Sequence, residues 1–562
     1  MKISLRRYLS IAALVLSVGA CTSGETLPET SSTADAPVAT TTTAPAPTTT
    51  ETQGPCPSVF CVTYHVKPEA TWSDGTPVTA DDFVYTHSVF ADPLATSGSG
   101  RGYQLIEGLE VVDPKTVVVG LSEVYGPWRT LFSTVLPAHI GDPADLTVTA
   151  TAFRLADRIP GEGVTLVRNT NYWTTIDPLS GEPVGDVERL EFIAVPGARE
   201  RIAALEDRIL DLIDPDPLDW IVEDLFQITD VQILVSPGPF WEHIDFNHDD
   251  PLLSQDWVRE SLASAIDRES ILDSTVRRVY PPAQPLDNSV YVSNSLNYED
   301  HYQINFSLMR AEQILVDHDC VRGDDDVYVC GGQRMSFAWA TTIGDDYRAA
   351  QAEIVADDLA TIGVELIVDY RTPSDLFAAD VFFAGPEVWQ IINFSWKTAA
   401  DPYLSNSTYF CEGSAASGFG ALNVNRYCNP DVGALIRSTN LMPDEEVRAA
   451  TYNEADDVYL SDLAIVPLYQ KPVLLAWNSE LSGPETNISS SNVMWNVGAW
   501  TGVETVRYGL GTEPTTLDPT SSLDDDTAII MSALTSGAFG TTPSLAFEPV
   551  LIESAETFVR AP

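Results

Sequence analysis

The stretch that decides the fold class is Ala70–Tyr85, with the sequence ATWSDGTPVTADDFVY. Within it, Asp74–Pro77 (DGTP) is typical of a tight turn, because Gly and Pro supply backbone angles that turns require. Thr79 is a typical N-cap residue, and Asp81 and Asp82 stand in the first turn of the helix that would follow, where the helix dipole favours negative charge. The stretch therefore predicts a turn followed by a capped helix.

Further motifs accompany this stretch in a regular order along the chain. They are VVDPKTV at 111–117, LPAHI at 136–140, VTLVRNTNYW at 164–173, IDFN at 244–247 and WVRESLASAIDR at 257–268. Together they resemble the pattern of family 5 extracellular solute-binding proteins, the peptide and nickel receptors of ABC importers. The resemblance extends over essentially all of residues 57–562.

The resemblance implies an α/β fold, a two-lobed clamshell of the type II periplasmic-binding-protein class with an extra subdomain. We expect residues 54–237 and 475–562 to form the first lobe and residues 238–474 the second. In such a fold a solute that contacts both lobes favours the closed state, which a membrane permease then recognises.

Hydrophobic periodicity agrees with a mixed α/β chain. The β-branched runs 62–66, 117–121 and 364–368 predict strands. Apolar residues three and four apart predict helices over 199–212, 257–272, 307–315, 347–362 and 446–463. Ser307 is a plausible N-cap, and Gly363 is a typical helix C-terminal signal.

The order of the segments departs from the family pattern. A strand and an LDP turn that open the mature domain of family members are missing before Val62, and similar residues occur instead at 505–519 and 547–556. The chain thus resembles a circular permutation, or a piece cut from a tandem pair. Permutation predicts that Glu553–Val559 lies beside Phe60–Val66, with Pro562 near Pro55, whereas a truncated second copy would leave 505–562 as a loose tail.

The amino-terminal residues predict export and a lipid anchor. Lys2, Arg6 and Arg7 precede a short apolar run, and Leu16–Cys21 resembles a bacterial lipobox, so residues 1–20 form the expected signal peptide and Cys21 the lipidated residue. Ordinary cleavage, with Cys21 as an incidental thiol, is the alternative. Residues 21–53 are rich in Thr and Pro and predict an extended tether. The expected location is the outer face of the cytoplasmic membrane, or the periplasm.

The other six cysteines form an even set, as is usual in an oxidising compartment. Proximity in the sequence favours the pairs Cys56–Cys61, Cys320–Cys330 and Cys411–Cys428, although six cysteines allow about fifteen connectivities. A zinc site is the competing interpretation, but the chain has no CxxC pair and no clustered His. We therefore expect disulfides and no metal.

Composition and motif searches narrow the function classes. With 30 Lys and Arg against 81 Asp and Glu, the net charge of −51 argues against nucleic-acid binding. The chain has no GxSxG, HExxH, P-loop or GxGxxG signature, so we expect no enzyme activity, no catalytic residues and no cofactor. A catalytic pair of carboxylates could still be hidden among so many acidic residues.

The resemblance also implies where a solute would bind. Family members line the cleft after the LDP turn and around a Trp of the second lobe, and the corresponding candidates are Leu523, Asp524, Asp525, Asn393, Ser395, Trp396, Lys397 and Asp401. The Asp and Arg that often hold peptide ends in relatives are replaced by Ala399 and Asn393. Three alternatives stay open: Asp401-Pro402 matches a structural turn, Trp396 could be core packing, and Lys397 could pair with a nearby Asp.

The leading expectation is a monomeric lipoprotein that captures peptides, or a related small solute, for an ABC permease. A receptor of the same fold for a sugar, a nickel chelate or another non-peptide solute is the alternative. A lipoprotein enzyme or a surface adhesin is the third class.

Overall fold

The computed structural model describes residues 56–92, 102–175, 184–411, 422–489 and 492–560. The expected signal peptide, Cys21 and the tether lie outside the described residues, as do Pro55 and Pro562. The expectations for those segments stay predictions.

The described chain alternates strands and helices, as the periodicity predicts. The strands are β1 (Phe60–Val66), β2 (Ile106–Asp113), β3 (Thr116–Leu121), β4 (Phe153–Ile159), β5 (Gly163–Arg168), β6 (Arg189–Ala194), β7 (Leu212–Ile213), β8 (Val231–Phe246), β9 (Val321–Arg322), β10 (Tyr328–Cys330), β11 (Gln333–Arg334), β12 (Ser336–Thr342), β13 (Glu365–Arg371), β14 (Ile391–Lys397), β15 (Ile465–Asn478), β16 (Thr505–Leu510), β17 (Phe539–Thr541), β18 (Phe547–Pro549) and β19 (Ile552–Val559). The α-helices are α1 (Ala80–Phe90), α2 (Ala198–Glu206), α3 (Asp219–Leu225), α4 (Asp256–Ser264), α5 (Arg268–Ser274), α6 (Leu308–Asp317), α7 (Asp346–Thr361), α8 (Pro373–Leu376), α9 (Ala379–Phe382), α10 (Pro430–Thr439), α11 (Glu445–Ser461) and α12 (Asp525–Leu534).

Two large sheets organise these elements. One has four strands in the order β19-β1-β3-β2, and the other has ten in the order β13-β12-β14-β8-β15-β7-β16-β6-β5-β4. The remaining strands form two small separate sheets, β11-β10-β9 and β17-β18. Within the ten-stranded sheet, β12 pairs in parallel with β13 and β14, and β16 in parallel with β6 and β7.

Asp82 explains why the 70–85 stretch folds as a unit. Its buried carboxylate accepts hydrogen bonds from the backbone N–H of Thr79 (2.8 Å), the indole N–H of Trp72 (3.2 Å) and the backbone N–H of Ala138 (2.8 Å). Thr79 is the N-cap residue of α1, as the sequence predicts. One side chain thus joins the turn, the helix start and the 136–140 motif.

The carboxyl-terminal segment packs against the amino-terminal strand. β19 pairs with β1 in antiparallel register from Phe60 opposite Val559 to Val66 opposite Ile552, and β3 pairs with the other edge of β1. The expected neighbourhood of Glu553–Val559 and Phe60–Val66 is therefore found. Because β16 also lies inside the ten-stranded sheet, the segment from 505 to 560 is no loose tail.

The two longest strands, β8 and β15, run side by side through the middle of the large sheet. Their ladder is interrupted between Pro467 and Tyr469 and between Gln470 and Pro472. Gly238 lies at this interruption, where an added Cβ would stand 2.8 Å from the carbonyl oxygen of Lys471, so only glycine fits without a shift. We place the boundary between the two proposed lobes at this interruption.

Three of the hydrophobic clusters lie mainly on one side of this boundary, whereas a fourth crosses it and joins Val279 to buried residues of 202–225. One cluster draws on residues 241–488, a second on 146–212 and 475–534, and a third, under the four-stranded sheet, on 60–150 and 538–552. Leu545 is an exception, because it lies between β17 and β18 but packs into the first of these clusters. This hairpin therefore ties the first lobe to the core of the second.

Two predicted helices have different bounds in the structure. The helix expected over 199–212 ends at Glu206, since Arg208 adopts a positive φ of 60° and Leu212 already belongs to β7. The helix expected over 257–272 is broken between Ser264 and Arg268, because the Asp267 carboxylate accepts from the N–H of Ser270 and caps a new helix. The helices predicted from 307, 347 and 446 are confirmed as α6, α7 and α11.

Three disulfides join neighbouring cysteines. They link Cys56 to Cys61, Cys320 to Cys330 and Cys411 to Cys428, which are the pairs that proximity in the sequence favours.

Candidate functional site

The carboxyl ends of the parallel strands indicate where a solute would meet the protein. In α/β sheets ligands bind beyond these ends. In the second lobe they are the ends of β12, β13 and β14, near Thr342, Arg371 and Lys397, and in the first lobe those of β6 and β16, near Ala194 and Leu510. We take the edge between these two sets as the candidate cleft.

Lys397 and Asp525 meet across this cleft. Lys397 is the last residue of β14 in the second lobe, and Asp525 is the first residue of α12 in the first lobe. The ammonium of Lys397 donates to Asp525 Oδ1 at 2.7 Å and lies 5.3 Å from the ring centre of Phe240. Both charged side chains are largely exposed, 48% for Lys397 and 76% for Asp525. Two candidates from distant parts of the sequence are thus brought together.

A buried carboxylate lies behind this contact. Glu242, on β8, accepts from Arg348 (3.0 Å) and from the hydroxyl of Ser395 (2.7 Å), and it forms an ion pair with Lys471 at 3.3 Å. Arg348 also donates to Ser395 Oγ at 2.8 Å. Burial alone would raise the pKa of Glu242, but the charges of Lys471 and Arg348 outweigh it and lower the pKa to about 2. Glu242 therefore stays ionised in the folded protein.

Sequence reasoning singled out Ser395 but not Glu242, Arg348 or Lys471. Glu242 and Arg348 are two among many acidic and basic residues, and only the fold brings β8, α7 and β15 together. The available signal was the scarcity of lysine: Lys471 is one of five in the chain.

The other candidates around Trp396 have unequal access to solvent. Asn393 is fully buried, and its amide donates to the carbonyl of His243 at 2.9 Å. Trp396 is half-buried, with its ring edge-on to Phe394 at 4.9 Å between centroids. Trp396 therefore packs against the core on one side and keeps exposed surface on the other.

Asp401 lies inside the second lobe. Both of its carboxylate oxygens accept from the guanidinium of Arg448, one at 2.6 Å, and both side chains are buried. Asp401 also caps the short helix that begins at Pro402 by accepting from the N–H of Tyr403 (2.9 Å). This arrangement favours the structural turn that the sequence also allows over contact with a solute.

The first-lobe edge of the cleft is acidic. Asp524 caps α12 by accepting from Thr527, while Asp526 accepts from the N–H and hydroxyl of Thr512, each at 2.6 Å. Asp214 follows β7 directly, and burial, with the nearby charge of Asp526 adding to it, raises its pKa to about 7. Leu523 is half-buried against the first-lobe core.

Four further contacts, at two places, join the proposed lobes. Asp219 of the first lobe accepts from the Tyr347 hydroxyl at 3.0 Å and pairs with Arg278 at 2.6 Å. On another side, the indole N–H of Trp128 donates to the carbonyl of Pro443 at 3.0 Å, and Arg129 pairs with Glu445 at 3.1 Å. Solute entry through a hinge motion must alter some of these contacts.

Two other site types find no support in the described parts of the chain. No group of three or more His, Cys, Asp or Glu residues there could hold a metal ion. No helix of those same parts is long and apolar enough to cross a membrane.

Comparison with known proteins gives consistent matches. The model of the bacterial extracellular solute-binding proteins, family 5, matches residues 60–414. The oligopeptide-binding protein OppA of Mycobacterium tuberculosis is 26% identical over 448 residues, which cover 75% of this chain and 71% of OppA.

Solved structures with similar folds include a periplasmic EDTA-binding protein, EppA, and NikZ from Campylobacter jejuni in complex with Ni(L-His). EppA has a TM-score of 0.67 at 20% identity, covering 79% of this chain and 85% of EppA. NikZ has a TM-score of 0.63 at 18% identity, covering 79% and 88%. These likenesses confirm the expected fold class, the two-lobed type II periplasmic binding protein.

A family match over more than half of the chain and a shared fold point the same way. The chain belongs to the bacterial extracellular solute-binding proteins of family 5.

Proposed function

We propose that this protein captures a peptide between its two lobes and delivers it to a membrane permease of an ABC importer. The observation that carries the proposal is the contact of Lys397 with Asp525, because a solute in the cleft would reach both lobes at this point. The similarity to an oligopeptide-binding protein over most of the chain supports peptides as the solute class. No covalent chemistry is required of the protein in this role.

Within this proposal the cleft wall consists of Ser395, Trp396, Lys397, Leu523, Asp524 and Asp525. Trp396 offers an apolar surface beside charged groups, which suits a peptide with varied side chains. Asn393 and Asp401, both buried, support this wall from behind and do not touch the solute.

A thermal-shift screen tests the solute class. Mixed short peptides, sugars and nickel chelates are added separately to the purified protein, and a ligand that binds only the folded state raises the melting temperature. We expect the peptides to raise it and the sugars and chelates to leave it unchanged. A shift with sugars or chelates alone would replace peptide capture by the non-peptide alternative.

The non-peptide alternative has one specific observation in its favour. Ala399 and Asn393 stand where relatives often carry the Asp and Arg that hold peptide ends, and the buried Asn393 has no access to a solute. A peptide receptor must therefore hold its ligand by other groups.

We further propose that the mature protein is a monomer anchored in the membrane by lipid on Cys21, with residues 21–53 as a spacer. The lipobox-like sequence before Cys21 supports this anchor. Mass spectrometry of the exported protein should find a lipid-modified Cys21 at the mature amino terminus, and an unmodified terminus at another residue would contradict it.

We also propose that the order of segments is a circular permutation of the family order. The adjacency of Val559 and Phe60 at one end of the β19–β1 pair supports it, because a short turn could join them. A variant in which residues 505–560 precede residue 56, with such a turn between Arg560 and Cys56, should fold with an unchanged melting temperature. A variant that stays unfolded would contradict the proposal.

A further inference from the structure

The four described lysines of this acidic chain lie in two places. Lys67 and Lys115 lie beside the four-stranded sheet, where Lys115 donates to the carbonyls of Val78 (2.7 Å) and Lys67 (2.9 Å). The other two described lysines, Lys397 and Lys471, both lie at the cleft, on either side of β8. In a protein of net charge −51, the general field repels anions, so local cations are needed wherever an anion is to bind.

Strand register brings Lys397 and Lys471 to one place. Lys397 is opposite Phe240 on one edge of β8, and on the other edge Lys471 falls in the interruption between Gln470, opposite Trp241, and Pro472, opposite Pro237. Neighbouring strands are about 4.8 Å apart, which puts the two backbones roughly 10 Å from each other across β8. Two flexible ammonium groups at that spacing can converge on one small anion.

Among the described residues, Lys471 shares its one carboxylate partner, Glu242, with other donors. Its partner Glu242 is already held by Arg348 through two nitrogens and by the Ser395 hydroxyl, and Asp345 lies 3.7 Å from Arg348. In the described structure the Lys471 ammonium forms this one ion pair and no hydrogen bond, with 31% of the side chain exposed. It therefore keeps donors for a further acceptor.

The ion pair of Lys397 with Asp525 is easy to displace. Both side chains are exposed, and exposed ion pairs contribute little to stability. Within the described parts of the chain, the Asp525 carboxylate accepts a side-chain hydrogen bond from Lys397 alone, whereas Asp524 caps α12 and Asp526 binds Thr512. The acidic first-lobe edge, with Asp525 and Asp526, would also repel an anion toward the second lobe.

We propose that Lys471 and Lys397 together bind a carboxylate of the solute, which displaces Asp525 from Lys397. This inference rests on the proposed peptide function and names the groups that replace the missing charge clamps. The carboxylate has two possible sources, the carboxyl terminus of the peptide or an acidic side chain.

The test uses alanine-rich synthetic peptides of mixed length in three forms. One form has a free carboxyl terminus and no acidic residue, the second is amidated and has no acidic residue, and the third is amidated and contains one Glu. Thermal shift finds the forms that bind, and titration calorimetry measures the affinity of the best peptide of each form. We expect the neutral amidated form to bind at least about tenfold more weakly than the better of the two carboxylate forms, which identifies the source.

Lysine variants then test whether Lys471 and Lys397 bind this carboxylate. Lys471→Met and Lys397→Met should each weaken the carboxylate-bearing peptide by about tenfold to a hundredfold, since each removes a charged hydrogen bond. Lys67→Met, the same change of charge away from the cleft, should leave affinity unchanged, and Lys471→Arg should retain most of it. Asp525→Asn should strengthen binding, because it removes the competing carboxylate, and a merely structural ion pair would not produce this opposite sign.

The outcomes separate this inference from the proposed function. If the neutral amidated peptide binds as tightly as the others, or if Lys471→Met behaves like Lys67→Met, the carboxylate site is wrong while peptide binding stands. If no peptide in any form binds, the proposed function fails and the carboxylate site fails with it. Because Lys397 is exposed, its variant is expected to fold normally, which a melting curve without ligand verifies.

Discussion

Two ion pairs begin close together on the chain and end in opposite environments. Lys397, at the end of β14, reaches across the cleft to Asp525, and 48% of its side chain is exposed. Asp401, a few residues later, is almost completely buried with Arg448. A buried pair cannot be broken without leaving a charge in a low-dielectric interior, whereas an exposed pair exchanges its partner for water at little cost. Burial therefore separates the charges that hold the second lobe from those that are free to exchange partners.

Among the variants that test this comparison, Arg448→Met is expected to lower the free energy of unfolding most. It leaves the Asp401 carboxylate buried without its partner, and we expect the free energy of unfolding to fall by about 3–5 kcal/mol. Urea denaturation measures the loss. Arg310→Met, which removes an exposed pair with Glu260, is the matched control and should cost less than about 1 kcal/mol. Equal losses for the two variants would contradict the role assigned to burial.

Glu242→Gln tests a second buried carboxylate and adds a pH signature. The folded-state pKa is lowered from 4.5 to about 2, so the ionised group contributes stability above pH 4.5 that is lost as the pH falls toward 2. At neutral pH the variant should be less stable than wild type by about 3 kcal/mol. The difference should shrink with acidification through that window when both are followed by denaturant unfolding. A difference that is constant with pH would mean that Gln acts through packing alone.

His301 provides a buried pair with the opposite pH dependence. Its Nδ1 lies 2.6 Å from a carboxylate oxygen of Asp456, and this hydrogen bond, opposed by burial, raises the pKa of His301. While Asp456 is ionised, the pair contributes its full stability below pH 6.5, and the contribution is lost as the pH rises through the raised folded-state pKa of His301. Burial raises the pKa of Asp456, so protonation of this carboxylate ends the ion pair at more acidic pH.

His301→Gln should therefore be less stable than wild type by about 1.5–3 kcal/mol at mildly acidic pH, because a charged hydrogen bond is lost. The two proteins should approach each other as the pH is raised, as measured by thermal or denaturant unfolding. A gap that widens with rising pH would show that the imidazole is neutral in the folded protein.

The smallest effect on stability is expected from Lys397→Met. Removal of the exposed pair with Asp525 should cost about 0.2–1 kcal/mol at low salt and almost nothing at high salt, because solvent and ions screen the pair. Unfolding at two ionic strengths measures this difference. A loss as large as that of Arg448→Met would place Lys397 among the architectural charges and weaken its assignment to the cleft.

Much of the fold follows from local chemistry in the sequence. The turn and cap in 70–85, the Ser307 cap and the left-handed Gly363 at the end of α7 are properties of a few adjacent residues, and the structure contains each of them. Disulfide pairing belongs here as well, because the nearest cysteines meet in loops and hairpins that are themselves local. The break at Asp267 was missed, since an N-cap aspartate inside an apolar pattern differs little from a helical one.

Local chemistry in the sequence predicted only part of the candidate site. The motif around Trp396 identified the correct strand, but Asn393 and Lys397 lie on the same face of β14. The surrounding elements decide that Asn393 is buried and that Lys397, at the end of the strand, is exposed. Glu242, Arg348 and Lys471 come from three separate elements, and no spacing in the sequence joins them. Charge alone could not select them, because the chain has 81 acidic residues.

The sequence by itself determined the family and the alternation of strands and helices, and it predicted an export signal and favoured the cysteine pairs that the structure contains. Each of these depends on residues near one another or on motifs in a fixed order along the chain. Only the tertiary structure decided the register of β19 against β1, the burial of Asp401 with Arg448, and the choice of Asp525 as the partner of Lys397. These contacts join residues far apart along the chain, and their energies depend on burial. Burial is a property of the packed whole, which no segment of sequence carries alone.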